Sequence, residues 1–519
     1  MTGAATTAAT TASTVVEEVR AAVARYEAAL AADDLAELDA LFAPGEDTLR
    51  ADAAGVLVSH TAISDYRRGR GGAPARTVVA LHVVAHTADL ATAVAETRRP
   101  DGTRGLQTQV WERGPAGWQV RVAHVSSGPQ PLDPVEDPTT WRVLGSPLVA
   151  PTGSGPLDGV SVAVKDLVAV AGQRVGAGNP AKLALARTEP AHAPVLAALL
   201  AAGAHVRGIA TTDELAYSIS GTNVHTGSPA NPWGAGLAVG GSTSGPASAV
   251  ARGLADLGLG TDTAGSIRVP ASWCGLHGLR PTHGALPLDG VAPLAPGFDV
   301  VGWLTRDAGL LHRTAQLLLP PSAPVTELVL AEDLLELAAP PVADLVRAVA
   351  AASGLPVRSE RLMAGEEHET WFAAFRTAQG AQAWAAHGEW VTAHGGTLGP
   401  GIAQRFADAA TVTAGEAAHA ADVVGEARTA LRERIGEGVA VLAPATSTTA
   451  PPVVAPAAEK AALRGATLRL TCLAGLGGLP SAVAPAGLVE GHPVGVAVIG
   501  APGADTALTG LLAGWDRSL

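Results

Sequence analysis

The chain has 519 residues, 47% of them hydrophobic and 16% charged, with a formal net charge of −13. That length accommodates roughly two to four ordinary domains, and the acidic balance argues against general binding to nucleic acid or anionic membranes. The two cysteines, Cys274 and Cys472, stand far apart. They exclude a disulfide framework, a CxxC redox centre and a Cys-rich zinc module, and they fit a cytoplasmic setting.

Residues 1–13, MTGAATTAATTAS, lack the basic start and leucine-rich run of a secretory signal and read as a disordered Ala/Thr tail. Over residues 14–41, Val15, Val19, Val23, Tyr26, Leu30, Leu35, Leu38 and Leu41 recur at helical spacing, and the polar break at Ala31–Asp34 predicts two helices. From about 48 to 126, segments such as TVVALHVVAHT and GWQVRVAHVSS alternate apolar and polar residues, with RPDG and GPAG as turns. Helices followed by an antiparallel meander predict a small α+β domain over 14–127, its sheet curled into a cone with an interior pocket. Residues 128–156 are rich in Pro, Gly and Asp and are expected to be a linker. Beyond it, residues 157–519 mix short apolar strands (VSVAVKDL, VAVLAPAT, GVAVIG) with helical blocks (APVLAALLAAG, PASAVARGLAD), an α/β pattern. No apolar run approaches the about 20 residues a transmembrane helix needs.

Common catalytic signatures are missing. The sequence contains no GxxxxGK[ST], no HExxH, no complete GxGxxG and no GxSxG. His192, His205 and His387 are scattered and read as ordinary polar residues.

Lysine usage is more informative. Of 35 basic residues only Lys165, Lys182 and Lys460 are lysines. Lys165 closes the apolar run GVSVAVKDLVAV. A lysine there either snorkels from a strand end or is desolvated into a neutral general base, a role arginine cannot fill. A second segment, GGSTSGPASAVARGLADLG, sets Ser242, Thr243 and Ser244 ahead of a helical block, as an N-cap or as part of a polar site at the helix start. In a third, GLGTDTAGSIRVPASWCGLHGLRPTHG, Ser266 follows the small-residue loop Thr263-Ala264-Gly265, either a structural turn or a set of N–H donors beside a hydroxyl. Asp262 and Arg268 flank that loop with opposite charges.

Together these segments resemble the amidase signature family of Ser–Ser–Lys hydrolases. The family's GGSSGG, GTDxGGSIRxPA and CGxxGxKPT read here as GGSTSG, GTDTAGSIRVPA and CGLHGLRPT, with a lysine upstream and the two serines at the family's separation. The likeness runs over about residues 140–519. SGTNVHTGSPANPW (220–233) and AWAAHGEWV (383–391) resemble the branch of plant-type indole-acetamide hydrolases and their non-catalytic chloroplast-import relatives. The resemblance implies an α/β/α fold on a large mixed sheet. It implies Ser266 as nucleophile, Ser242 as bridging serine in a cis peptide and Lys165 as base. The N–H groups of Thr263, Ala264, Gly265 and Ser266 are expected to form the oxyanion hole, with Thr243, Asp262 and Arg268 in support. No metal or cofactor is implied. Two departures are Thr243, where a second serine is usual, and Ala264, where glycine is usual. Alanine would be strained at 264 if the backbone there needs positive φ, although some ureide-cleaving members also carry it.

Residues 14–127 resemble the NTF2-like (SnoaL-like) cone fold of the AtzH-like group, through ARYEAAL, ALFAPGEDTLRAD, LQTQVW and GWQVRVAHVS. Members stand alone in s-triazine degradation clusters or fused to amidases. The resemblance places a pocket at Tyr26 and Arg50, where an arginine can grip a small carboxylated ureide. The other role open to this domain is packing, dimerisation or shielding of the active-site mouth. The expected activity is hydrolysis of a small amide or ureide C–N bond. The alternatives are a carbamate or bulky secondary-amide hydrolase, and a non-catalytic scaffold on the same fold. The substrate-pocket walls are expected within about 310–430, and a homodimer or higher oligomer is expected.

Overall fold

The computed structural model describes residues 3–52, 55–70, 72–73, 75–98, 104–127 and 137–515. It falls into two units, Met1–Pro131 and Leu132–Leu519.

In the first unit the helix Gly3–Ala32 packs Val15, Val19, Val23, Tyr26 and Leu30 into the core. This corrects the expected tail, because residues 3–13 continue the helix. Alanine is the strongest helix former, and the amphipathic block behind it supplies the nucleus. The expected break falls where the sequence places it. Asp33 turns the chain with φ 53°, and the Asp34 side chain accepts from Glu37 N to cap the helix Leu35–Ala40. The sheet contains β1 (Leu49–Asp52), β2 (Gly55–Val58), β3 (Thr77–Ala85), β4 (Leu90–Arg98), β5 (Arg104–Gly114) and β6 (Gly117–Ser127), in the order β2-β1-β6-β5-β4-β3. β3 to β6 form an antiparallel meander, and β1 joins β6 in parallel. Alternate residues Ala91, Ala93, Trp111, Val120 and Ala123 belong to the core that also holds the long helix.

The second unit is built on an eleven-stranded mixed sheet. Its strands are β7 (Trp141–Val149), β8 (Ser161–Lys165), β9 (His205–Ala210), β10 (Leu257–Asp262), β11 (His277–Arg280), β12 (Val300–Thr305), β13 (Glu327–Ala331), β14 (Val357–Glu360), β15 (Val439–Pro444), β16 (Ser481–Val489) and β17 (His492–Gly500), in the order β14-β13-β15-β17-β16-β11-β12-β10-β8-β9-β7. β7 corrects the expected linker at 128–156. Residues 128–136 lie outside the described residues, but 141–149 pair antiparallel with β9 as an edge strand, the position in a sheet where Pro147 costs no ladder hydrogen bond. The strands are near-continuous apolar runs because both sheet faces are covered. Leu328, Leu330, Ala440 and Leu442 enter one core, while Val329, Ala331, Val441 and Ala443, their alternate neighbours, enter the other.

β8 and β10 are adjacent and parallel. Their carboxyl ends therefore open at the same level, and they carry Lys165 and Thr261–Asp262 there. The outside of parallel strand ends is where α/β sheets place ligands.

Candidate active site

Lys165 ends β8 with no exposed surface, so it does not snorkel. Its Nζ donates to three hydroxyls: Ser242 Oγ at 2.8 Å, Thr261 Oγ1 at 2.8 Å and Thr243 Oγ1 at 3.1 Å. Burial depresses the ammonium to about 7, against the opposing pull of Asp213, Asp262 and Asp299. Both protonation states are therefore accessible near neutral pH.

Ser242 and Thr243 precede the helix Ser244–Ala251, and Thr243 at its N-cap makes no capping bond through its side chain. Its hydroxyl accepts from Lys165 and donates to Thr261 O at 3.1 Å instead. The serine-to-threonine departure therefore keeps the hydrogen bond. The Gly241–Ser242 peptide is cis. A Cβ at Gly241 would lie 2.4 Å from an Asp213 carboxylate oxygen, so only glycine fits there. Buried Asp213 braces this turn, accepting from Ser244 Oγ at 3.0 Å and Gly221 N at 2.9 Å.

Ser242 Oγ lies 3.0 Å from Ser266 Oγ, so Lys165, Ser242 and Ser266 form one hydrogen-bonded line. Ser266 is seated by the loop after β10. Asp262 anchors that loop from below, accepting from Gly265 N at 2.9 Å and Ile267 N at 3.0 Å. Arg268 and Arg280, both buried, hold the Asp262 carboxylate in turn at 2.7 and 3.1 Å. Burial alone would raise the Asp262 pKa, but the two guanidiniums and the loop amides take it far below the usual carboxylate range.

This geometry corrects one expectation. The Gly265 N–H is already committed to Asp262 and does not face an oxyanion. The N–H groups of Thr263, Ala264 and Ser266 donate to no other described residue. Ala264 is free of the feared strain, because the positive φ of the turn (128°) falls on Gly265. The Ala264 carbonyl accepts from Thr471 Oγ1 at 2.5 Å, which fixes the loop from the far helix, Ala457–Gly477.

Sequence reasoning missed several of these supports. Thr261 lies in the recognised GTD motif, yet nothing in a strand residue tells that its hydroxyl meets Lys165. Arg280, in GLRPT, and Asp299, which accepts from Thr263 Oγ1 at 2.5 Å, are joined to the site only by the fold. The cavity wall at Ser266 is formed by Tyr217, Ile219, Leu294, Gln379, Arg464 and Leu468. Only Gln379 of these falls in the expected 310–430 interval.

In the first unit Tyr26 and Arg50 are both buried. Arg50 donates to Asp52 Oδ2 at 2.7 Å and lies over the Tyr66 ring at 4.6 Å. The Tyr26 and Phe42 rings lie tilted with centroids 6.2 Å apart, and the guanidinium of buried Arg67 sits 4.0 Å from the Phe42 ring centroid. Arg67 Nη2, Gln107 Nε2, Gln109 Nε2 and Trp111 Nε1 are buried with no hydrogen-bond partner among the described residues. The strand alternation in LQTQVW, which sends Gln107, Gln109 and Trp111 to one face, was the available signal for this polar interior.

Among the described residues no cluster of three or more His, Cys, Asp or Glu is arranged to hold a metal ion, and no helix is long and apolar enough to cross a membrane.

The Amidase family pattern matches residues 150–319 and the AtzH-like pattern residues 9–130. Amidase 1 of Arabidopsis thaliana is 33% identical over 407 residues, covering 72% of this chain and 96% of the relative. An indoleacetamide hydrolase of Pseudomonas syringae pv. syringae is 41% identical over 151 residues, 29% of this chain and 33% of that one. A crystal structure of an amidase superposes with a TM-score of 0.64 at 28% identity, over 70% of this chain and 86% of that one.

Proposed function

The chain belongs to the amidase family and is an amide hydrolase, and on that footing we propose that it cleaves a carboxamide or ureide C–N bond through an acyl-enzyme on Ser266. The observation that carries this reading is the line from Lys165 through Ser242 to Ser266, with contacts of 2.8 and 3.0 Å.

An amide is a weak electrophile with a poor leaving group, so it needs an activated hydroxyl, a stabilised oxyanion and a proton for the departing nitrogen. With Lys165 neutral, the hydroxyl hydrogens turn so that Ser266 donates to Ser242 and Ser242 to Nζ. As Ser266 Oγ bonds to the carbonyl carbon, its proton passes to Ser242, whose own proton moves to Lys165. The carbonyl π pair moves onto oxygen, where the unpartnered N–H groups of the 263–266 loop receive it. When the C–N bond breaks, the relay runs backwards and the proton leaves with the amine. Water then repeats the cycle on the acyl-enzyme, releasing a carboxylic acid and restoring Ser266. Burial of Lys165 is what makes the relay reversible at neutral pH, since a lysine near its ordinary pKa would hold its proton.

Ammonia release should be assayed across arylacetamides, aliphatic amides, biuret and allophanate, with Ser266→Ala as control. Hydroxylamine should divert the acyl group to a hydroxamate in wild type only. Absence of release and of hydroxamate would turn the reading toward bulky secondary amides, carbamates or a scaffold role.

The buried unpartnered donors of Arg67, Gln107, Gln109 and Trp111 favour a second reading for the first unit, namely that its interior binds a small polar molecule. Arg50→Gln would then weaken binding of that molecule, or abolish any reaction it undergoes there, and spare Ser266-dependent hydrolysis.

A further inference from the structure

The small cavity at Ser266 shares part of its lining with another. Tyr217, Gln379, Arg464 and Leu468 also line a larger neighbouring cavity of ≈ 360 Å³, whose wall adds Arg376 and Arg405. Arg376 comes from the helix Glu367–His394, Arg405 from Pro400–Ala410 and Arg464 from Ala457–Gly477. Three separate elements thus aim guanidiniums at one space.

The three are also unbalanced. In a chain of net charge −13, buried and partly buried arginines such as Arg252, Arg268 and Arg434 find a carboxylate, whereas Arg405 and Arg464 are partly buried and Arg376 is exposed. Arg376, Arg405 and Arg464 have no ion pair among the described residues. Asp408, the carboxylate on the same wall, accepts from Gln404 Nε2 at 2.8 Å. Arg405 spends Nη1 on Tyr217 O at 2.5 Å, and Arg464 Nε is buried with no hydrogen-bond partner among the described residues. Burial, and after it the charges of Arg405 and Arg376, holds Arg464 down at about 9. Three guanidiniums facing a half-enclosed space that holds one carboxylate, Asp408, leave an excess of positive charge, which is costly where it is buried, and an anion in their midst lowers that cost.

We propose that this cavity is the anion subsite of the enzyme, and that its preferred substrates are amides bearing a carboxylate a short spacer away from the scissile carbonyl. The proposal rests on Ser266 as the reacting residue, since its cavity and the arginine-lined one have Tyr217, Gln379, Arg464 and Leu468 in common. The chemistry is bidentate recognition, for which guanidinium is suited and which an uncharged amide of equal length cannot satisfy. Gln379, buried on the shared wall, is placed to meet the intervening polar atoms of such a substrate.

Binding separates this proposal from the catalytic reading. The full-length Ser266→Ala protein is titrated calorimetrically with the monoamides of dicarboxylic acids from malonamate to adipamate, and with the corresponding uncharged diamides. At least one monoamide is expected to bind about tenfold or more tightly than its diamide, with the margin shrinking as salt is added. Arg464→Met and Arg376→Ala, each added to Ser266→Ala, should bring the ratio toward one, and Arg376→Lys should restore part of it. Arg376 is exposed, so its replacement keeps the test open if Arg464→Met does not fold. Equal binding of charged and uncharged ligands across the series, or a preference that survives both arginine substitutions, overturns the subsite. Charge-selective binding without any Ser266-dependent hydrolysis in wild type would instead sink the acyl-enzyme reading and leave the subsite standing.

Discussion

Arg268 grips Asp262 with a two-pronged hydrogen bond, Nε to Oδ2 at 3.0 Å and Nη2 to Oδ1 at 2.7 Å, and neither side chain reaches solvent. The pair fixes the loop that presents Ser266, because the same carboxylate holds the N–H groups of Gly265 and Ile267. Removing one partner of a buried pair strands the other charge, typically at a cost of about 3–5 kcal/mol. Arg268→Ala is therefore expected to lower the denaturant midpoint strongly, and Arg268→Lys, which cannot form the fork, to lower kcat before it lowers stability. Equilibrium denaturation and steady-state kinetics on the same preparations check both.

Lys165, Ser242 and Ser266 act in series in the proposed relay, so their losses should not add. Ser266→Ala should remove turnover to background. Lys165→Ala and Ser242→Ala should each cost about 10²–10⁴ in kcat, the usual range for positioned proton transfer. The double variant should be little worse than the more severe single one. Fully multiplicative losses would mean that the two residues serve independent purposes.

The depressed Lys165 gives two pH signatures. Activity needs the neutral amine, so kcat/KM should rise with pH and level off above about 7. For stability, the folded pKa lies below the unfolded value of 10.5, so between these limits the unfolded chain binds the extra proton. Unfolding free energy contributed by this group therefore increases from about pH 7 toward 10.5, and its full penalty is felt below 7. Lys165→Met should be more stable than wild type at pH 7, with the difference closing by pH 10. Urea midpoints of the two proteins across that range provide the measurement.

In the first unit, Gln109 is 1% exposed and its Nε2 has no partner among the described residues. Gln109→Met keeps the volume and removes an unsatisfied donor, a change worth about 1–3 kcal/mol. The unit should melt at a higher temperature in differential scanning calorimetry while losing its capacity for a polar ligand. A lower melting temperature would mean that the amide is satisfied in solution.

The parts legible in the sequence were those where chemistry and local pattern coincide. Lys165 closed an apolar strand in a chain nearly devoid of lysine, and the loops of Ser242 and Ser266, each open to an ordinary N-cap or turn by itself, became specific only when taken together with it. The helix break at Asp33–Asp34 was readable from its polar residues. What stayed hidden depends on chain reversal and on side chains meeting across elements. Asp213 and Arg280 are unremarkable in sequence, and only the sheet brings them under the site. Residues 141–149 read as linker because Gly145, Ser146 and Pro147 mask an edge strand that needs pairing on one side only. The assignment of the Gly265 N–H to the oxyanion hole failed for a local reason, since Asp262, three residues earlier, reaches that donor first.

The proton line, from Lys165 to Ser266, comes from one continuous segment of about a fifth of the chain, whereas the three arginines come from helices that begin after Leu362 and end before Gly478. The proton line and the three arginines therefore occupy separate stretches of the coding sequence, joined through Thr471 of the second, which holds the Ala264 carbonyl of the first. A graft of residues 363–477 between relatives of this fold, with Thr471 retained, should carry substrate choice with it and leave bond cleavage to the recipient. Within such a lineage, new substrates can be acquired by exchange of a single block, without any interval in which the reaction itself is lost.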